Sequence, residues 1–164
     1  LVTPVNRYAI LLGRLLSDAF RVAVQSIIII ALSFLPFIGV TYVTGVPGIL
    51  LILFVIAFFG LAWSGISLAI GMKTRSSETV FAIGGFITFP LLFLSTALVP
   101  LSFQPEWIQT ISKFNPISYA VDAVRVLMIS GYDWSTILQA FGVIGLVGLV
   151  TLSATVYQFR KVVK

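Results

Sequence analysis

Across 164 residues the chain is 59% hydrophobic and 9% charged, which excludes a water-soluble domain, whose surface would need far more polar side chains. Neither cysteine nor histidine is present, so disulfides, thiolate metal sites and imidazole acid–base chemistry are excluded too. The net charge of +5 does not point to nucleic acid, because the basic residues sit at the ends of apolar stretches, where membrane orientation accounts for them.

The opening segment, residues 1–21, reads LVTPVNRYAILLGRLLSDAFR. Thr3 suits a helix N-cap and Pro4 the first helical position. Arg7, Arg14 and Arg21 recur every seven residues with Asp18 on the same face, as in a helix lying in the cytoplasmic interface. The pattern suits an anchoring flank and a docking surface equally. The first residue is Leu1, without a signal-peptide layout after it, and the chain is expected to be a fragment of a longer protein.

Four windows are long and apolar enough to cross a bilayer: 22–42, 48–70, 80–99 and 137–157. None contains a charged residue, and a helix satisfies its own backbone in lipid. The expected fold is therefore all-α, a polytopic membrane protein of four transmembrane helices. Pro36 and Pro90 fall inside two windows and are expected to kink them, by ordinary tolerance or for gating. Gly60, Ser64, Ser67 and Gly71 share a face of the second span, and Gly142, Gly145 and Gly148 cluster in the fourth. Such small residues allow close helix packing. The third span carries Phe81, Phe86, Phe89 and Phe93, with Ser95 and Thr96 near its end; these rings can face lipid or a substrate cleft.

Eight of the ten basic residues fall on one side of this arrangement: Arg7, Arg14, Arg21, Lys73, Arg75, Arg160, Lys161 and Lys164. The positive-inside rule makes that side, with both termini, cytoplasmic. The segment 100–134 is then external. In it Pro100 and Pro105 bracket a turn, and Trp107, Ile108 and Ile111 form the apolar face of a short helix over Glu106–Phe114. Asn115 caps a second helix with Pro116 at its first position. On that second helix Ser118, Asp122 and Arg125 share one face, Asp122 and Arg125 at pairing distance, while Val121, Val124, Leu127 and Met128 form another. Two external helices result, either lying on the outer leaflet or re-entrant as a lid.

The spans hold no ionisable residue for ion coupling. GMKTRSSE at Gly71 lacks the glycine pair and Lys-Ser/Thr placement of a phosphate loop, and no paired aspartates, H-E-x-x-H or nucleophile elbow occurs. A pump built from this chain would draw its energy from another polypeptide.

VTPVNRYAILLGRLLSD, MKTRSSETV and FPLLFLSTALVPLSFQPEWIQTISKFNPISYAVDAVR together resemble the membrane subunit of a type-2 ATP-binding-cassette (ABC) exporter, nearest the daunorubicin-resistance-like branch of prokaryotes. The resemblance implies six spans in the family, of which this chain supplies the last four. It implies that Thr3, Pro4, Val5, Arg7 and Tyr8 lie at or near the contact with a separate ATPase subunit. Pro100, Pro105, Trp107, Asn115, Pro116, Tyr119, Asp122 and Arg125 would belong to an external or re-entrant gate. Phe86, Phe89, Pro90 and Phe93 would line the interface between two permease halves, as a homo- or heterodimer. The same resemblance implies alternating access in a prokaryotic plasma membrane, with membrane lipid around the chain, no cofactor bound by it, and ATP and magnesium used by the partner. A membrane scaffold that transports nothing is the alternative, and an integral lipid enzyme a third reading.

Overall fold

The computed structural model describes residues 7–36 and 40–162. They form six α-helices: α1 Arg7–Ser33, α2 Gly45–Thr74, α3 Ser77–Phe93, α4 Glu106–Ser112, α5 Pro116–Ile129 and α6 Trp134–Val162. A single 3-10 turn at Leu101–Phe103 precedes α4. No strand occurs among the described residues.

Three helices are long and apolar enough to cross a membrane: α1 from Leu12, all of α2, and α6 as far as Phe159. Helix α3 is apolar but has 17 residues, about 26 Å of rise against about 30 Å of hydrocarbon. From Arg7 the opening segment continues into the first span as one uninterrupted helix as far as Ser33. Thr3, Pro4 and Val5 lie outside the described residues, and Arg7 and Tyr8 open α1. Within the window 22–42 the helix stops at Ser33. Pro36 therefore follows the helix instead of kinking it, because a proline disfavours helical backbone in the residue before it.

Helix α2 is the hub, packing against α1, α3, α5 and α6. One core cluster joins Val55 and Ala62 of α2 to Ala123 of α5 and to Ala140 and Ile144 of α6. A second joins Ile52, Leu127 and Ile137. The apolar outer faces are inverted relative to a soluble protein: Phe20, Phe54, Phe86 and Leu149 are each 60% or more exposed.

Small residues set the closest approach of α2 to α6. A Cβ on Gly65 would stand 2.8 Å from Thr151 Oγ1, and one on Gly148 would stand 3.3 Å from Ala62 Cβ. Thr151 Oγ1 donates to the Ala62 carbonyl at 2.7 Å and Thr155 Oγ1 to the Gly65 carbonyl at 2.8 Å. Gly60 packs on Val22 of α1 in the same way, whereas Gly142 faces open space.

Candidate functional site

The site is built where α3 ends. Pro90 lacks an N–H, so the turn around it is one hydrogen bond short, and the helix stops three residues later at Phe93. A helix end leaves its last carbonyls without partners, which is costly away from water. Here side chains from later in the sequence supply the donors. Asn115 Nδ2 donates to the Leu91 carbonyl at 2.5 Å, Ser112 Oγ to Leu94 at 3.0 Å and Gln104 Nε2 to Ser95 at 2.8 Å. Gln104 Nε2 also donates to the Val99 carbonyl at 2.8 Å, closing the loop after α3 into a ring.

Arg125 completes the clasp. Its Nη1 meets Asp122 Oδ1 at 2.9 Å, and its Nη2 donates to the Thr96 carbonyl at 2.5 Å. Thr96 Oγ1 in turn donates to the same Asp122 oxygen at 2.8 Å. The Asp122–Arg125 pair is about one-third exposed, so its own contribution is screened and small. Its structural effect comes from bridging two elements 29 residues apart in sequence. Ser95, Thr96, Ser112, Asn115 and Ser118 are all buried around it.

Helix α5 is capped at both ends. Asn115 Oδ1 accepts from the Ile117 amide at 3.0 Å, with Pro116 at the start of the helix. At the far end Thr44 Oγ1 donates to the Leu127 carbonyl at 2.6 Å and the Val43 amide to Met128 at 3.0 Å. Gly48 is required here, since any Cβ would fall 1.6 Å from Thr44 Oγ1. Gly131, at φ +105°, turns the chain towards α6 in a conformation that side chains resist.

These contacts set the position of α5 along α2. Its last turn touches the start of α2, and its first turn lies beside Phe59, 14 residues and about 21 Å along α2. The rise of α5 itself is also about 21 Å over its 14 residues. Helix α3 returns about 26 Å along the 30-residue, about 45 Å, α2 and so ends about 19 Å from the same start. All three lengths bring the end of α3 and the start of α5 together near the middle of α2.

The predicted site residues divide accordingly. Asn115, Pro116, Asp122 and Arg125 come together in the clasp, and Tyr119 packs on the core while its hydroxyl donates to the Lys113 carbonyl at 2.8 Å. Pro100 and Pro105 precede the 3-10 turn and α4. Trp107 is 61% exposed on α4, outside the clasp. Phe86, Phe89 and Phe93 form an exposed ridge on α3, away from it. Gln104, Ser112, Thr151 and Thr155 were not singled out by sequence reasoning. The four-residue spacing of Thr151 and Thr155 in an apolar span is a signal that could have found that pair; nothing comparable marks Gln104. No group of three or more acidic metal-ligand candidates occurs among the described residues.

Residues 1–129 match the family model described as ABC-2 type transporter. Among curated proteins, the chain is 36% identical over 91 residues to the ycf38 protein of Porphyra purpurea, covering 53% of this chain and 31% of that protein. It is 35% identical over 133 residues to the ycf38 protein of Cyanophora paradoxa, covering 77% and 43%. The daunorubicin resistance ABC transporter permease protein DrrB1 of Streptomyces coeruleorubidus is 33% identical over 125 residues, covering 76% and 44%. The chain thus spans less than half the length of these relatives. No solved structure matches it.

Proposed function

The chain belongs to the ABC-2 type transporter family, and from that premise we propose that it is part of the permease subunit of an ABC exporter, its α4–α5 hairpin forming a re-entrant gate. The observation that carries the gate is the clasp, in which side chains of the hairpin satisfy the carbonyls at the broken end of α3. Non-helical backbone at membrane depth persists only where protein buries it or a cavity adjoins it. Broken helices near the bilayer midplane are a recurring element of transport pathways.

In this reading α1, α2 and α6 cross the membrane, and α3 with the loop after it makes the fourth crossing. The basic ends of α1 and α6 and the Lys73–Arg75 turn face the cytoplasm. Arg7 and Tyr8 at the start of α1, with Thr3, Pro4 and Val5 before them in the sequence, are the contact for a separate ATPase subunit that uses ATP and magnesium. The Phe86–Phe89–Phe93 ridge faces a second permease copy across the pathway. ATP-driven closure of the ATPase subunits favours one of two arrangements of the permease, which opens by releasing the Thr96–Asp122–Arg125 bridge. Drug-like amphipathic compounds in a prokaryotic plasma membrane are the cargo class that fits the uncharged spans.

The test uses the full-length permease reconstituted with its ATPase. Asp122→Ala removes the acceptor shared by Thr96 and Arg125, and should lower transport several-fold while membrane insertion stays normal. Unchanged transport at normal expression would remove the hairpin from the gate. Failure of the wild-type permease to stimulate substrate-dependent ATP hydrolysis would remove the export reading itself.

A further inference from the structure

We propose that the cavity between α1, α2 and α3 beside the Lys73–Arg75 turn binds an amphipathic cation, and that Asp18 selects it by accepting hydrogen bonds from its ammonium group. As a cation site this stands on the cavity; as an entry point for cargo it rests on the permease reading. The cavity measures about 450 Å³, within the range of small-molecule sites. Arg14 and Asp18 of α1 line it, with Ser67 and Leu68 of α2 and Val80 and Phe81 of α3.

The structure changes where this carboxylate lies. The sequence windows put Asp18 in a flank before the first span, whereas α1 is apolar enough to cross a membrane from Leu12 onward. Asp18 then sits six residues, about 9 Å, inside the span. The facing walls lie at similar distances from their helix ends, Ser67 about 10 Å before the end of α2 and Phe81 about 6 Å into α3. An ionisable side chain inside a span is costly, needs a partner and marks a functional site. Asp18 has no partner in this chain: among the described residues the one ion pair is Asp122–Arg125, and no hydrogen bond reaches the Asp18 carboxylate.

Arg14 does not fill that place. It precedes Asp18 by four residues, the weaker order for a helical ion pair. Helical side chains lean towards the N-terminus, so the long stem of this exposed residue carries its guanidinium away from Asp18, towards the headgroups at the basic end. The ligand's apolar body has Leu68, Val80 and the ring of Phe81, which is 81% exposed and offers its face to a nearby ammonium. An uncharged amphipath gains nothing here over lipid, whose tails are equally apolar. The carboxylate therefore does the selecting.

The test uses the full-length permease in phosphatidylcholine vesicles without ATP, photolysed with a matched pair of probes: a benzophenone bearing a butylammonium chain, and the same molecule ending in a hydroxyl. Peptide mass spectrometry reads adducts on Leu68, Val80 and Phe81 relative to Val150, on the exposed face of α6. The ammonium probe should label the cavity on the order of tenfold above the alcohol. Asp18→Asn should remove that excess and Asp18→Glu restore most of it, a recovery that a merely structural role would not produce. Ser67→Trp, which fills the cavity and leaves the carboxylate in place, should bring ammonium labelling to the Val150 level, so the test survives if the Asp18 variants unfold. Equal cavity labelling by the two probes would overturn the proposal. So would an excess that persists in Asp18→Asn, or an unlabelled cavity beside a labelled Val150. Selective labelling with no ammonium-stimulated ATP hydrolysis once the ATPase is added would keep the cation site and remove its role as a cargo entry.

Discussion

Replacing Asn115 with alanine removes two bonds from one buried side chain. Asn115 is 2% exposed; its Oδ1 caps α5 through the Ile117 amide and its Nδ2 satisfies the Leu91 carbonyl. Loss of an N-cap costs about 1 kcal/mol, and a buried carbonyl left without its donor about 1–3 kcal/mol. The sum, about 2–4 kcal/mol, is a large share of a typical folding free energy. Asn115→Ser separates the two parts, because a serine hydroxyl caps well but is too short to reach Leu91. Reversible unfolding in mixed detergent micelles measures each total, and amide exchange at Ile117 reads the cap alone. The alanine variant should lose the full amount with faster exchange at Ile117; the serine variant should lose about 1 kcal/mol less and keep exchange slow. An alanine variant within about 0.5 kcal/mol of the parent, the usual range of inconsequential surface changes, would refute the reasoning that the end of α3 depends on α5.

Three further predictions concern the scaffold. Gly65→Ala drives a methyl to 2.8 Å from Thr151 Oγ1 and 3.2 Å from the Thr151 backbone, so α2 and α6 must separate at about 1–3 kcal/mol, whereas Gly142→Ala meets nothing within 4 Å and should be neutral in the same unfolding assay. Thr151→Val keeps the shape and removes the hydroxyl bond to Ala62; since interhelical hydrogen bonds in membranes average about 0.6 kcal/mol, it should cost less than Gly65→Ala, and the reverse order would show polar contacts outweighing close packing. Asp133 accepts hydrogen bonds from the Thr136 hydroxyl at 2.7 Å and the Ser135 amide at 3.1 Å at the start of α6, and the Thr136 bond foremost holds its carboxyl below the ordinary value of 3.8. A depressed folded pKa stabilises above the unfolded value and is lost as pH falls through the folded one, so acid titration of stability should lose a step in Asp133→Asn, and an unchanged profile would separate that carboxyl from the helix start.

Much of the molecule was legible because its information is local. The hydrophobic lengths of α2 and α6, the Asn115–Pro116 start of α5 and the Asp122–Arg125 pair all follow from residues within a few positions of each other. The ending of α1 at Ser33 was less legible, because an apolar window extends past Pro36 while the backbone before proline leaves the helix. The Phe86–Phe89–Phe93 ridge is visible as a pattern, but in sequence it looks the same whether it faces lipid, a cavity or another subunit.

Composition, hydropathy and charge placement by themselves determined an all-helical membrane chain with an ordered segment between its last two apolar stretches, and its motifs carried the resemblance to an exporter permease. Tertiary structure decided which elements that segment packs against. The bonds that place it join Leu91 to Asn115, Thr96 to Arg125 and Thr44 to Leu127, 24, 29 and 83 residues apart. Helical periodicity reports which residues share a face within a turn or two. The partner that satisfies a helix end from across the fold leaves no periodic trace, and becomes identifiable only when the chain has closed on itself.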